Sequence, residues 1–179
     1  MKKIALFLFA VFCLGTLATA EDRDGTRLKA RLTGDEGVPT ISTDGTGTFE
    51  ATISPDNTTI TFTLTWKNLS TPAFMAHIHF GARKTAGDIV VFLCGDAPDG
   101  SDKPDCQNDA TNSGTASGTL TAANVLDFGD GPDQNINPGE FNKLVRAIRQ
   151  GFAYVNVHSN HVQGGEVRGQ IEVVRGDRD

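Results

Sequence analysis

The sequence predicts an all-β domain, a sandwich or barrel with one short helix, on three observations. Apolar and polar residues alternate with a period of two along most of the chain, turn residues separate the alternating runs, and a single stretch has the period of an amphipathic helix.

Leu28, Ala30 and Leu32 alternate with Lys29 and Arg31, and Phe49, Ala51 and Ile53 alternate with Glu50 and Thr52. Ile60, Phe62, Leu64 and Trp66 alternate in the same way with Thr59, Thr61, Thr63 and Thr65. Successive side chains of a strand point to opposite faces, so each run reads as a half-buried strand. Ser54-Pro55-Asp56-Asn57 suits a tight turn and predicts that the second and third runs form an antiparallel hairpin. Further strands are expected at Ala73–Phe80, Ile89–Leu93, Gly114–Leu120, Phe152–His158 and Val167–Val174. The unbroken run Ile89-Val90-Val91-Phe92-Leu93 should be buried on both faces. The helix is expected after Asn137 as N-cap, with Pro138 in its first turn, Glu140 three past the cap and Gly151 as the stop. Phe141, Leu144, Val145 and Ile148 form its apolar stripe.

The only long apolar run, Ile4 to Leu14, lies behind Lys2 and Lys3 and ahead of Ala18-Thr19-Ala20. That is the pattern of a cleavable signal peptide over residues 1–20, with residues 21–179 as one domain of a secreted or periplasmic protein. Gly15, Thr16 and Thr19 interrupt the run too early for a membrane anchor, which needs about 18 apolar residues. Loss of Lys2 and Lys3 takes the formal charge from −6 to −8, so neither nucleic acid nor anionic lipid is an expected partner. An unidentified protein or small ligand is expected instead, and no stable membrane insertion after cleavage.

Of the three cysteines, Cys13 falls in the signal peptide. Cys94 and Cys106 then read as one disulfide closing a loop rich in Gly, Pro and Asp, with free thiols or a thiolate metal pair as the alternative. Asp127, Asp130 and Asp133 lie on a Gly-rich stretch but lack the order of a calcium loop, so a solvated acidic loop is the reading. No Gly-x-Ser-x-Gly turn points to a serine nucleophile.

All four histidines fall in two short segments, His77-Ile78-His79 and His158-Ser159-Asn160-His161. On a strand His77 and His79 project to one side, roughly 7 Å apart, with Phe74, Ala76, Ile78 and Phe80 on the other. His158 ends a strand whose Ala153, Val155 and Val157 face the core, which puts His158, Asn156 and Tyr154 on an outward face. Imidazoles converging from both segments would suit copper or zinc through His77, His79, His158 and His161; histidines of an exposed strand surface are the alternative. Past Gly164-Gly165, Val167, Gly169, Ile171 and Val173 should face the core and Glu166, Arg168, Gln170 and Glu172 away from it. There Arg168 would attract a small anion or form a surface ion pair with Glu166 or Glu172.

Ala76-His77-Ile78-His79-Phe80-Gly81, Gly87 to Leu93, Ala153-Tyr154-Val155-Asn156-Val157-His158-Ser159 and Gly164-Gly165-Glu166-Val167-Arg168-Gly169-Gln170-Ile171 together resemble the CHRD domain, named for its occurrence in chordin. The resemblance spans about Arg27 to Val174. It implies an immunoglobulin-like Greek-key β-sandwich or barrel distantly similar to copper/zinc superoxide dismutase, and a family with no settled molecular activity. It implies His77 and His79 as a His-x-His copper pair, His158 as a later ligand and Arg168 as an anion-guiding residue. No histidine lies between His79 and His158 to bridge to a zinc subsite, and Cys94 and Cys106 do not reproduce the dismutase bridge. The expected function is a binding or structural module rather than an enzyme. Copper or zinc binding is the alternative, and superoxide dismutase-like chemistry the form that any catalysis would take.

Overall fold

The computed structural model of the chain describes residues 24–95, 104–126 and 134–175. The expected signal peptide, the aspartates at 127, 130 and 133, and most of the loop between Cys94 and Cys106 lie outside the described residues.

The strands are β1 (Thr26–Thr33), β2 (Thr46–Ile53), β3 (Ile60–Lys67), β4 (Ala73–Phe80), β5 (Ile89–Cys94), β6 (Gln107–Asn108), β7 (Gly114–Leu120), β8 (Ala153–Ser159), β9 (Val167–Gln170) and β10 (Glu172–Val173), with one α-helix, α1 (Phe141–Arg149), between β7 and β8. They form one curled antiparallel sheet in the order β5-β4-β8-β9-β1-β2-β3-β7-β6, with β10 also on β1. β1, β2 and β3 form a meander, whereas the connections from β3 to β4, from β5 to β6 and from β7 through α1 to β8 cross between the two halves.

The period-two pattern decides which face goes inward. Leu28 and Leu32, Phe49 and Ile53, and Ile60, Leu64 and Trp66 share one core with Ala76, Ile78, Val91, Leu93, Val155, Val157, Val167 and Ile171 of the other half. The α1 stripe of Phe141, Leu144, Val145 and Ile148 joins the same core. The β2–β3 hairpin is paired in full register from Thr46↔Lys67 to Ile53↔Ile60. In its turn Ser54 Oγ accepts the Thr58 and Thr59 N–H groups at 3.1 and 3.0 Å.

The helix starts later than its sequence signals suggest. Gly139 has φ +82, outside the helical region, so Pro138 precedes the helix and Glu140 is its N-cap. Asn137 and Glu140 still interact, the Glu140 carboxylate accepting the Asn137 N–H at 2.8 Å, but as a turn ahead of α1. Gly151, at φ +76, stops the helix as expected. The expected strand Val167–Val174 is two pieces, β9 on β8 and β10 on β1, divided at Ile171.

Cys94 and Cys106 are disulfide-bonded. Cys94 ends β5 and Cys106 immediately precedes β6, so the bridge ties together the two outermost strands of the curled sheet. Asn108 of β6 closes the same seam. Its Oδ1 accepts the Ala73 N–H at 2.9 Å and the Trp66 indole N–H at 3.1 Å, and its Nδ2 donates to Ala73 O at 2.8 Å.

Candidate metal centre

β4 lies antiparallel to β8 with Met75 opposite His158, His77 opposite Asn156 and His79 opposite Tyr154. His77 and His79 therefore share a face, and His158 stands diagonally across from His77. On its other side β4 meets β5 through register shifts between Ala76 and His77 and between Ile78 and His79, bulges that re-aim side chains at the site. Ring centroids are 4.7 Å apart for His77 and His158, 5.6 Å for His77 and His79, and 6.3 Å for His79 and His158. One nitrogen from each ring lies within 4.8 Å of the other two.

The face that carries them is not the solvent surface the alternation implies. His77, His79 and His158 are 0%, 8% and 6% exposed, and Tyr154, Asn156, Glu166, Arg168 and Gln170 are buried as well. This half of the sheet has apolar packing on one face and a buried polar layer on the other, covered by the β4–β5 and β8–β9 loops. Phe92 packs edge-on to His77 at 4.2 Å. Phe74, expected on the core face, has its ring 6.3 Å from that of His158, the β4–β8 register shifting between Ala73 and Met75.

The covering loops also orient the rings. His79 Nδ1 lies 3.0 Å from Gly87 O and His158 Nδ1 2.8 Å from Gln163 O. A carbonyl only accepts, so each Nδ1 carries the proton and each Nε2 keeps a free lone pair. The Nε2 atoms of His79 and His158 and both ring nitrogens of His77 are buried without a hydrogen-bond partner. Burial therefore holds all three rings neutral. Desolvation, helped by His158 and His79, lowers the His77 pKa to about 2. Desolvation lowers that of His79 to about 4 against the opposing bond to Gly87, with His158 and Arg168 adding to the depression. His158 is lowered by desolvation, partly offset by its bond to Gln163.

Behind His79 stands a second aromatic layer. Tyr154 stacks on it at 4.7 Å with 3° between the planes, and the Arg168 guanidinium carbon lies 3.5 Å from the centre of the Tyr154 ring. Arg168 Nη2 donates to Thr85 O at 2.8 Å and Ala82 O at 3.2 Å, and Gln170 Nε2 donates to Gly81 O at 3.0 Å. β9 thus fastens the loop whose Gly87 carbonyl fixes His79. Arg168 is 4% exposed and one ring removed from the histidines. The surface ion pair considered for it is not formed: Glu172 pairs with Arg83 at 3.0 Å, and Glu166 is engaged elsewhere.

Glu166 is a hub of its own. Its carboxylate accepts from Thr43 Oγ1 at 2.6 Å, from Ser70 N and Oγ at 2.8 Å each, and from Ser159 Oγ. His161 is exposed, with its backbone N–H on Thr71 Oγ1 at 2.8 Å, and the structure does not bring it to the other three histidines. The roles of Gly87, Tyr154 and Gln163 were not read from the sequence. One signal was available: the outward positions of β4 and β8 lack the Thr, Lys and Glu of the outward positions on β2 and β3.

The family model of the CHRD domain matches residues 28–171. The chain belongs to the CHRD family. No curated protein matches it. As a CHRD domain it is a binding or structural module, and among the described residues no helix is long and apolar enough to cross a membrane.

The donor set of this CHRD domain fits a transition-metal ion. Three neutral imidazoles suit copper and zinc, and a hydrogen bond from one nitrogen of a ring to a carbonyl, with the other nitrogen left free, is the arrangement that orients such ligands. Around a three-coordinate ion with bonds of about 2.0 Å the donors stand roughly 3.5 Å apart, so rings whose nitrogens lie within 4.8 Å need draw in by about 1.3 Å at most.

Proposed function

We propose that this CHRD domain is an exported metal-binding module, holding one copper or zinc ion on the ring nitrogens of His77, His79 and His158. One observation carries the reading: three buried imidazoles converge, and each keeps at least one ring nitrogen without a hydrogen-bond partner. A buried polar atom without a partner costs about 1–3 kcal/mol, and His77 alone has two. An ion would satisfy one nitrogen on each ring. The leader-like pattern over residues 1–20 and the disulfide between Cys94 and Cys106 support export, since disulfides persist in oxidising compartments.

Dismutation is not part of the proposal. It requires an open position on the ion that superoxide reaches, whereas these rings are almost fully enclosed.

The test is titration of metal-free protein with Zn(II), Cu(II) and, without oxygen, Cu(I). The reading expects saturation near one equivalent, lost in the His77→Ala/His79→Ala variant and retained in His161→Ala. No saturable binding, or binding unchanged in the double variant, overturns it.

A further inference from the structure

We propose that the three-histidine centre is built for a monovalent ion, taking Cu(I) in preference to Cu(II) and Zn(II), with Arg168 as the positioning residue that sets this preference through Tyr154. The inference rests on the metal-binding reading above and narrows it to one class of ion.

The first argument is charge. Each donor is a neutral ring, and the Nδ1–H groups of His79 and His158 are committed to Gly87 O and Gln163 O, so neither ring readily becomes an anion. Among the described residues no carboxylate or thiolate joins the donor set, and Cys94 and Cys106 are consumed in their bridge. An ion there keeps its whole charge in a site shielded from water. The solvation lost on burial scales with the square of the charge, so a dication forfeits about four times what a monocation does.

The second argument is the guanidinium. Arg168 is buried, its guanidinium carbon stands 3.5 Å from the centre of the Tyr154 ring, it bonds to two carbonyls, and the same Tyr154 ring stacks on His79 at 4.7 Å. Glu36, which acts on Arg168, is itself paired with Arg83 at 3.0 Å. A fixed positive charge one ring behind a ligand opposes a dication twice as strongly as a monocation.

The third argument is coordination number. Zn(II) almost always takes four ligands and Cu(II) a tetragonal set, whereas Cu(I) is satisfied by three. Beside the three rings stand Phe92 and Phe74, which offer no donor.

The experiment is competition of the metal-free protein, without oxygen, against bicinchoninate for Cu(I), and against chromophoric chelators for Zn(II) and Cu(II) in parallel. The expected result is Cu(I) bound roughly a thousandfold tighter than Zn(II), and tighter than Cu(II). In Arg168→Met the gap should narrow by about tenfold, and Arg168→Lys, which keeps the charge, should restore it. Should the Met variant fail to fold, the order of affinities in the unaltered protein still decides. Zn(II) or Cu(II) held as tightly as Cu(I) overturns the inference and leaves the three-histidine reading standing; no binding of any ion overturns both. An unchanged gap in folded Arg168→Met removes Arg168 from the account.

Discussion

His79 and Tyr154, opposite each other on β4 and β8, stack with 3° between their planes and 4.7 Å between their centres. The same tyrosine reaches the residue that orients the histidine. Its hydroxyl accepts the Gly87 N–H at 3.2 Å, while Gly87 O faces His79 Nδ1 at 3.0 Å. Tyr154 therefore holds the face of the candidate ligand, and through Gly87 its edge.

Gly87 should tolerate no side chain. A Cβ there would stand 1.8 Å from Phe80 O, so Gly87→Ala must displace the backbone that presents the carbonyl to His79. The expected result is a 10–100-fold loss of metal affinity, the usual scale for losing an orienting partner, in a protein that keeps its β-sheet circular dichroism. Unchanged affinity would mean that the Gly87 carbonyl does not set the ring.

Acid should destabilise the metal-free protein. The folded-state pKa values of His77 and His79, about 2 and about 4, lie below the ordinary 6.5, so below pH 6.5 the unfolded chain binds the extra protons and stability falls as pH falls. Between pH 7.5 and 5 each ring should cost about 2 kcal/mol, read as a drop in the urea midpoint. His77→Leu should remove its share of that slope. A pH-independent midpoint over this range would contradict the neutral, buried state of the rings.

Glu166→Gln tests the second polar hub. Burial pushes this carboxyl's pKa up, but hydrogen bonds from Ser159, Thr43 and Ser70 outweigh it and hold the group ionised below the usual glutamate range. Losing the charge should weaken these bonds together and cost about 1–3 kcal/mol in denaturant unfolding. Metal stoichiometry should not change, because Glu166 is outside the donor set.

Much of this arrangement is legible in the sequence, for reasons that are local. The alternation from Ile60 to Trp66 decides the inner face of β3 from its own residues, and the i, i+2 spacing puts His77 and His79 on one side without knowledge of any neighbour. What the sequence hides is set by distant parts of the chain. The outward face of β4 and β8 is buried because Gly81 to Gly87 and the segment around Gln163 fold over it, and neither loop carries an apolar pattern that announces a cover. Arg168 reads as a surface residue by its type, and only the pairing of β9 with β8 places it on Tyr154. His161 misleads in the opposite sense, close to His158 in sequence but turned out to solvent.

The disulfide should matter beyond the loop it closes. Because Cys94 and Cys106 join the two edge strands, a Cys94→Ser/Cys106→Ser variant should lose about 3 kcal/mol, the scale expected for a loop of this length. Hydrogen exchange should rise first in β5 and β6. Faster exchange confined to the loop between the cysteines would contradict the role of the bridge as a seam.

The most direct test of the centre is the X-ray absorption spectrum of the Cu(I)-loaded protein. The account predicts three nitrogen neighbours at about 2.0 Å, with the outer-shell scattering of imidazole, falling to two in His158→Ala. A first shell of oxygen or sulfur, or a spectrum unchanged by that substitution, would contradict it.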